Sequence, residues 1–138
     1  MKLWKSKVTI YNDTPADSVN PRRFDRFVVD DCIIQGGFVQ TTQGTIQNIV
    51  NAVTVISKDV KHYKSPMEYA ALPSDMKDGF YTAKIGDFVV FDAVDDIVTT
   101  AREFIDLQAK FKDNGMVITT VTANIFGLDV DNVTMTNA

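Results

Sequence analysis

The sequence predicts a mainly β domain of the α+β kind: a small antiparallel β-barrel or sandwich carrying one short and one longer helix. Three observations lead there. Short segments alternate apolar and polar residues or run β-branched, as in residues 3–12, 49–58 and 116–123. Two Ser/Thr-x-x-Glu boxes, Ser65-Pro66-Met67-Glu68 and Thr100-Ala101-Arg102-Glu103, give helix starts. Turn chemistry punctuates the rest at Asn12-Asp13-Thr14-Pro15, Gly36-Gly37, Gly86-Asp87 and Asn114-Gly115. With 138 residues and no repeat, linker or low-complexity tract, the chain reads as a single domain over residues 1–138. A chain of this length buries a core without help from metals or disulfides.

Taken in order, residues 3–12 form the first strand, with Trp4, Val8 and Ile10 on one face and Lys5, Lys7 and Thr9 on the other. A second strand spans residues 23–35. The Asp30-Asp31 doublet interrupts its pattern, which predicts a bulge or a change of packing partner, and Gly36-Gly37 predicts a bend at its end. Residues 38–48, FVQTTQGTIQN, are amides and threonines around Gly44. They read either as an ordinary loop or as a projecting arm over about 36–48 that orders against a neighbouring subunit, since polar β-formers pair readily with another chain. The candidate intersubunit residues are Gln40, Thr41, Thr42, Gln43, Thr45 and Gln47. Residues 49–58 follow as a core strand.

The first capping box predicts about two helical turns, held by packing of Met67, Tyr69 and Leu72 and stopped by Pro73. Residues 80–83 and 88–94 read as strands around the turn Lys84-Ile85-Gly86-Asp87. Gly86 gives that turn its backbone freedom, and Asp87 is placed to accept from nearby amides. The second box opens a helix over 101–112, with Ala101, Phe104, Leu107, Gln108 and Phe111 on one stripe and Asn114-Gly115 as its stop. Two further strands, 116–123 and 130–136, end the chain, with Phe126-Gly127 between them.

Reactive chemistry is sparse. The single cysteine, Cys32, sits in an apolar run beside Asp30 and Asp31, where a thiolate is disfavoured, so it reads as a buried inert thiol. One cysteine allows no intrachain disulfide and gives no sign of an oxidising compartment. The single histidine, His62, has no neighbour at metal-ligand spacing. The doublets Asp30-Asp31 and Asp95-Asp96 point to opposite faces of an extended chain, so neither builds a shared acid–base or cation site. Asp129 and Asp131 share a face and are the acids that an enzyme or ligand-binding barrel would use. Neither a catalytic residue, a metal ligand nor a cofactor is expected, and the chain reads as non-enzymatic. A net charge of −4 gives no general attraction for nucleic acid. Lys5, Lys7, Arg22, Arg23 and Arg26 crowd the first fifth of the chain, and solvated strand faces account for them. The first residues carry no long apolar stretch of the signal-peptide kind, and no run reaches membrane-span length, which predicts an intracellular protein.

The succession VTIYN, AVTVI, SPMEYAALP, FYTAKIGDFVVFDAV, a capped helix and MVITTVT resembles the small minor structural proteins of tailed bacteriophages and prophages of Gram-positive hosts. Those proteins are assigned to head closure or the head–tail connector. The resemblance runs from about Val8 to Ala123. Its most specific part is Ser65-Pro66, Glu68-Tyr69, Leu72-Pro73, Tyr81 and Gly86-Asp87 followed by apolar residues. It implies a β-barrel-like subunit of a homo-oligomeric ring at the neck of the virion. Such a subunit is assembled in the host cytoplasm, touches portal or adaptor and tail proteins, and lets DNA pass through the lumen. A tail-terminator or tail-completion ring subunit is the nearest alternative. A cytoplasmic ligand-binding barrel or enzyme is the alternative of a different class.

Overall fold

A computed structural model describes residues 2–16, 18, 21–43, 46–73, 75–126 and 129–137. For residues 2–6, 37–43, 46–52, 125–126 and 129 it describes the backbone course alone. Seven strands make one antiparallel sheet: β1 (Lys2–Thr14), β2 (Arg23–Gln43), β3 (Ile46–Ser57), β4 (Phe88–Val90), β5 (Gly115–Val117), β6 (Thr120–Phe126) and β7 (Asp129–Asn137). Their order across the sheet is β5-β4-β1-β2-β3-β7-β6. The two outermost strands, β5 and β6, are therefore consecutive in the chain, and the sheet curls into a half-barrel that the chain itself ties together. Ile118 and Thr119 make the tie. Ile118 N donates to Asp87 O at 2.8 Å on the β4 side, and Thr119 N donates to Thr136 O at 2.8 Å on the β7 side.

The inner face holds the main core: Val8 and Ile10 of β1, Val29 and Cys32 of β2, Val55, Val89, Met116, Ile118, Val133 and Met135. Val29 and Cys32 are three residues apart, so a regular strand would send them to opposite faces. The bulge expected from the Asp30-Asp31 doublet resolves this. Ser6 pairs with Cys32 and Val8 with Val29, so Lys7 alone stands opposite two residues. The extra residue turns the alternation over and brings both apolar side chains inside.

Outside, α2 (Ala101–Lys110) covers the β1–β4–β5 corner. Thr100 Oγ1 caps it by accepting from Glu103 N at 3.1 Å. Phe104 and Leu107 are buried against Tyr11, Phe88, Val90 and Val98, whereas Ala101 is exposed. The helix ends at Lys110, with Phe111 as C-cap, so Asn114-Gly115 is not its stop signal. Gly115 is required for a different reason. A Cβ there would lie 2.7 Å from Phe88 Cζ and 2.8 Å from Val89 O, inside van der Waals distance. The glycine lets the chain leaving α2 approach β4 closely enough to pair.

α1 (Pro66–Ala71) has the full capping box. Ser65 Oγ accepts from Glu68 N at 3.3 Å, and Glu68 Oε1 accepts from Ser65 N at 3.4 Å. Tyr69 is buried and Leu72 half-buried, but Met67 is 84% exposed and contributes no packing to this helix. A single 3₁₀ turn follows at Lys77–Gly79. Residues 80–83, expected as a strand, make one isolated bridge, Tyr63 to Tyr81. The reason is that a side chain replaces the missing partner strand. Asn12 Oδ1 accepts from Thr82 N at 3.2 Å, and Asn12 Nδ2 donates to Thr82 O. β4 is likewise shorter than the expected 88–94, because beyond Val90 the chain turns out to contact Thr9, whose Oγ1 accepts from Val94 N at 3.0 Å.

Candidate functional site

The feature that the barrel does not explain is the β2–β3 ribbon. Among the described residues, β1 pairs with β2 as far as Lys2 opposite Gly36, and β7 pairs with β3 as far as Asn137 opposite Val53. Beyond that rim β2 and β3 continue, paired among the described residues only with each other, from Gly37 opposite Ala52 to Gln43 opposite Ile46. Seven residue pairs at roughly 3.3 Å per residue carry the ribbon about 23 Å past the sheet. Local sequence favours this course: threonines and β-branched residues on both strands fit a pleated backbone.

Of the residues read as a candidate arm, Gln40, Thr41, Thr42, Gln43 and Gln47 lie on this ribbon, and Thr45 lies outside the described residues. Three expectations are corrected. Gly36-Gly37 does not end β2, because the strand runs through both to Gln43. Residues 38–43 and 46–48 are not loop but strand, the first part of β2 and the second of β3. Finally, only residues 53–57 of β3 lie between two partner strands, so its first half does not belong to the barrel core. One signal could have shown the extent of the ribbon. Residues 32–57 hold no Asp, Glu, Lys, Arg, His or Pro, and all 14 basic and 18 acidic residues of the chain lie outside that run.

The groups with chemical potential elsewhere are engaged in holding the fold. Cys32 is fully buried, and burial pushes its thiol up to about 12, as expected for an inert thiol. His62 Nδ1 lies 3.0 Å from both carboxylate oxygens of Asp59, and its ring packs at 5.6 Å from Phe27. The arginines of the first fifth are paired within the chain: Arg22 with Asp13 at 2.7 Å, Arg23 with Asp25 at 2.6 Å, and Arg26 donating to Val94 O at 2.7 Å. Lys7 lies 3.7 Å from Asp30. Asp96 pairs with Lys110 at 2.6 Å. Asp131 is exposed and accepts from Asn132 Nδ2 at 3.0 Å, while nothing of the Asp129 side chain is described. Among the described residues no group of three His, Cys, Asp or Glu side chains gathers to hold a metal.

A buried polar knot sits under the 84–87 turn, and the sequence reading found only part of it. Asp87 is 1% exposed. Its carboxylate accepts from Asn12 Nδ2 at 2.9 Å, Asp13 N at 3.1 Å and Lys84 N at 3.1 Å, and faces Lys84 Nζ at 3.4 Å. Gly86, with φ +97°, supplies the positive φ that the third position of a type II turn needs. Burial raises the Asp87 pKa above its usual value, against the opposing pull of Lys84 and the amide donors. The folded state therefore binds this proton more tightly than the unfolded chain, so the Asp87 contribution to stability falls as pH rises through the folded pKa. Asp87→Ala leaves several buried donors without an acceptor and is expected to cost about 2–4 kcal/mol at neutral pH. Measured by urea unfolding, the advantage of wild type over this variant should widen from pH 7 toward pH 4. An advantage independent of pH would show that the carboxylate is not titrating in its buried setting.

The model of DUF6751, a family of unknown function, matches residues 3–136. No curated protein and no solved structure matches the chain.

Proposed function

We propose that this chain, which belongs to the DUF6751 family, is a non-enzymatic ring subunit of the head–tail connector of a tailed bacteriophage, acting in head closure between the portal side and the tail. The observation that carries the reading is the strand ribbon running past the barrel rim with no further partner strand among the described residues. An isolated two-stranded ribbon is marginal in water, so a chain that keeps one is equipped to complete it against a neighbour. A ring contact is heterologous and closes by rotation, which a projecting element on a compact barrel suits. The motif succession from Ser65-Pro66 to Gly86-Asp87 supports the same reading. So does the surplus of acidic residues, since a negative lumen repels DNA and lets it slide.

The test is mass spectrometry of density-purified particles from a host that carries the gene. The chain should co-purify with the particles at a small fraction of the capsid protein. Its complete recovery in the particle-free lysate would reject a virion role.

A further inference from the structure

We infer that Asn114 and Gly115 form a site of spontaneous covalent modification. The Gly115 amide nitrogen bonds to Cγ of Asn114 and expels ammonia. Water then opens the cyclic imide, mainly at the former backbone carbonyl, which leaves isoaspartate. The product loosens the seam between β4 and β5. This chemistry is independent of the ring reading and needs no partner.

Three features meet at this dipeptide. Asparagine is among the chemically labile residues, and a following glycine offers its nitrogen with no Cβ to hinder ring closure. Of the eight asparagines in the chain, Asn114 alone precedes a glycine. Next, the side chain is not held. Asn114 is exposed, and its carboxamide has no hydrogen-bond partner among the described residues. The other asparagines with described side chains are all held by that group. Asn12 is bonded to Thr82 and Asp87, Asn124 to Asn132 at 2.6 Å, Asn132 to Asp131 at 3.0 Å, and Asn137 to Val117 O at 2.6 Å.

The attacking nitrogen also lies outside the ladder. Gly115 stands opposite Val90, and Phe91 N donates to Asn114 O at 2.9 Å. In an antiparallel pair that bond marks Val90 and Gly115 as residues that exchange no hydrogen bonds. Gly115 N–H therefore points away from β4, and β5 has no second partner strand among the described residues. Nor can a bulkier residue at 115 block the attack, because a Cβ there would run into Phe88 and Val89 O. Packing keeps glycine in the one place where it makes its neighbour reactive.

Isoaspartate carries the main chain through Cβ, which adds one carbon between residues 114 and 115 and leaves a carboxylate as a side group. Two backbone bonds seat this junction: Asn114 N donates to Phe111 O at 3.0 Å, and Asn114 O accepts from Phe91 N. In the product the carbonyl joined to Gly115 is the former side-chain one, so Phe91 N loses its acceptor. β4 and β5 share three residue pairs, and Gly115 has no slack toward Phe88 or Val89. The added carbon parts the seam. Phe88 also belongs to the cluster beneath α2, so the disturbance reaches the helix.

Peptide mapping by tandem mass spectrometry tests this on the full-length chain, held folded in mildly alkaline buffer. Residue 114 should become isoaspartate at least about tenfold faster than Asn124 or Asn132, as its free carboxamide allows. The rate should rise with pH, because the attacking nitrogen must give up its proton. The modified chain, separated by its added negative charge, should unfold at lower urea than the fresh chain. Asn114→Asp, which adds the charge without the extra carbon, should unfold like wild type, and Asn114→Gln should stay unmodified. Conversion of residue 114 only in urea-unfolded chain, or no faster than at the held asparagines, would overturn the inference. So would a modified chain as stable as the fresh one, or an Asn114→Asp variant weakened just as much.

Discussion

Phe104→Ala should lower the unfolding free energy by about 3–5 kcal/mol, the usual range for truncating a well-packed aromatic. Phe104 is 6% exposed and belongs to the cluster of Tyr11, Phe88, Val90, Val98 and Leu107 that joins α2 to the barrel. Its ring centroid lies 5.0 Å from that of Phe24, on the strand next to β1. Truncation removes the transfer free energy of the ring and leaves a void between a strand and a helix that cannot both move in to fill it. The chain has few alternative anchors for α2: Leu107 is the other fully packed residue, and Ile105 on the far side is 61% exposed. For a domain of this size the melting temperature should fall by about 10–15 °C. Phe104→Leu, which keeps most of the volume, should cost under about 1.5 kcal/mol. Denaturant unfolding checks both. A loss below about 1 kcal/mol for the alanine variant would mean that α2 is not held by this stripe.

The second large effect is on assembly rather than stability. Deleting residues 40–47 leaves Asn48 and Ile49 between the paired Val39 and Val50. With Ile49→Gly added, the shortened ribbon closes on an Asn-Gly turn, which suits a two-residue hairpin. Among the described residues no other strand pairs with 40–43 or 46–47, and shortening a surface excursion changes closure entropy little, so stability should shift by less than about 1 kcal/mol. Ring formation, by contrast, should be lost, and complementation of a deletion phage should drop to background. A variant that enters infectious particles at wild-type levels would remove the ribbon from the assembly account.

The contrast between these two predictions follows the line between what local chemistry specifies and what depends on neighbours. The capping box at Ser65, the Thr100 N-cap, the Gly86 turn and the bulge at Asp30-Asp31 were legible because each is written into a few adjacent residues. The parity switch between Val29 and Cys32 left a bulge or a change of packing partner open, and the register shows the bulge. The ribbon was legible only as one of two readings, a loop or an arm, and not in its length. Which residues of β2 and β3 pair with β1 and β7 depends on strands far from residues 36–53 in sequence. Gly36-Gly37 looked like the end of a strand because glycine weakens pairing, yet here it marks the rim across which the strand continues. Ile49, Val50 and Ala52 looked like core because apolar β-branched runs usually are.

Asn12 was missed as well. As a polar residue before a turn it resembles an ordinary loop asparagine, and only the tertiary fold reveals that its amide substitutes for a strand beside Thr82. Gly115 was placed at the right position for the wrong reason. Its need comes from Phe88 and Val89, which are distant in sequence, and not from the end of the helix that precedes it.

Imaging the intact particle at side-chain resolution tests the central claim most directly. The account predicts this barrel in a closed ring at the junction of head and tail, with each subunit's ribbon in strand contact with its neighbours. A junction built entirely from other proteins, with this chain recovered as a free monomer, would contradict it.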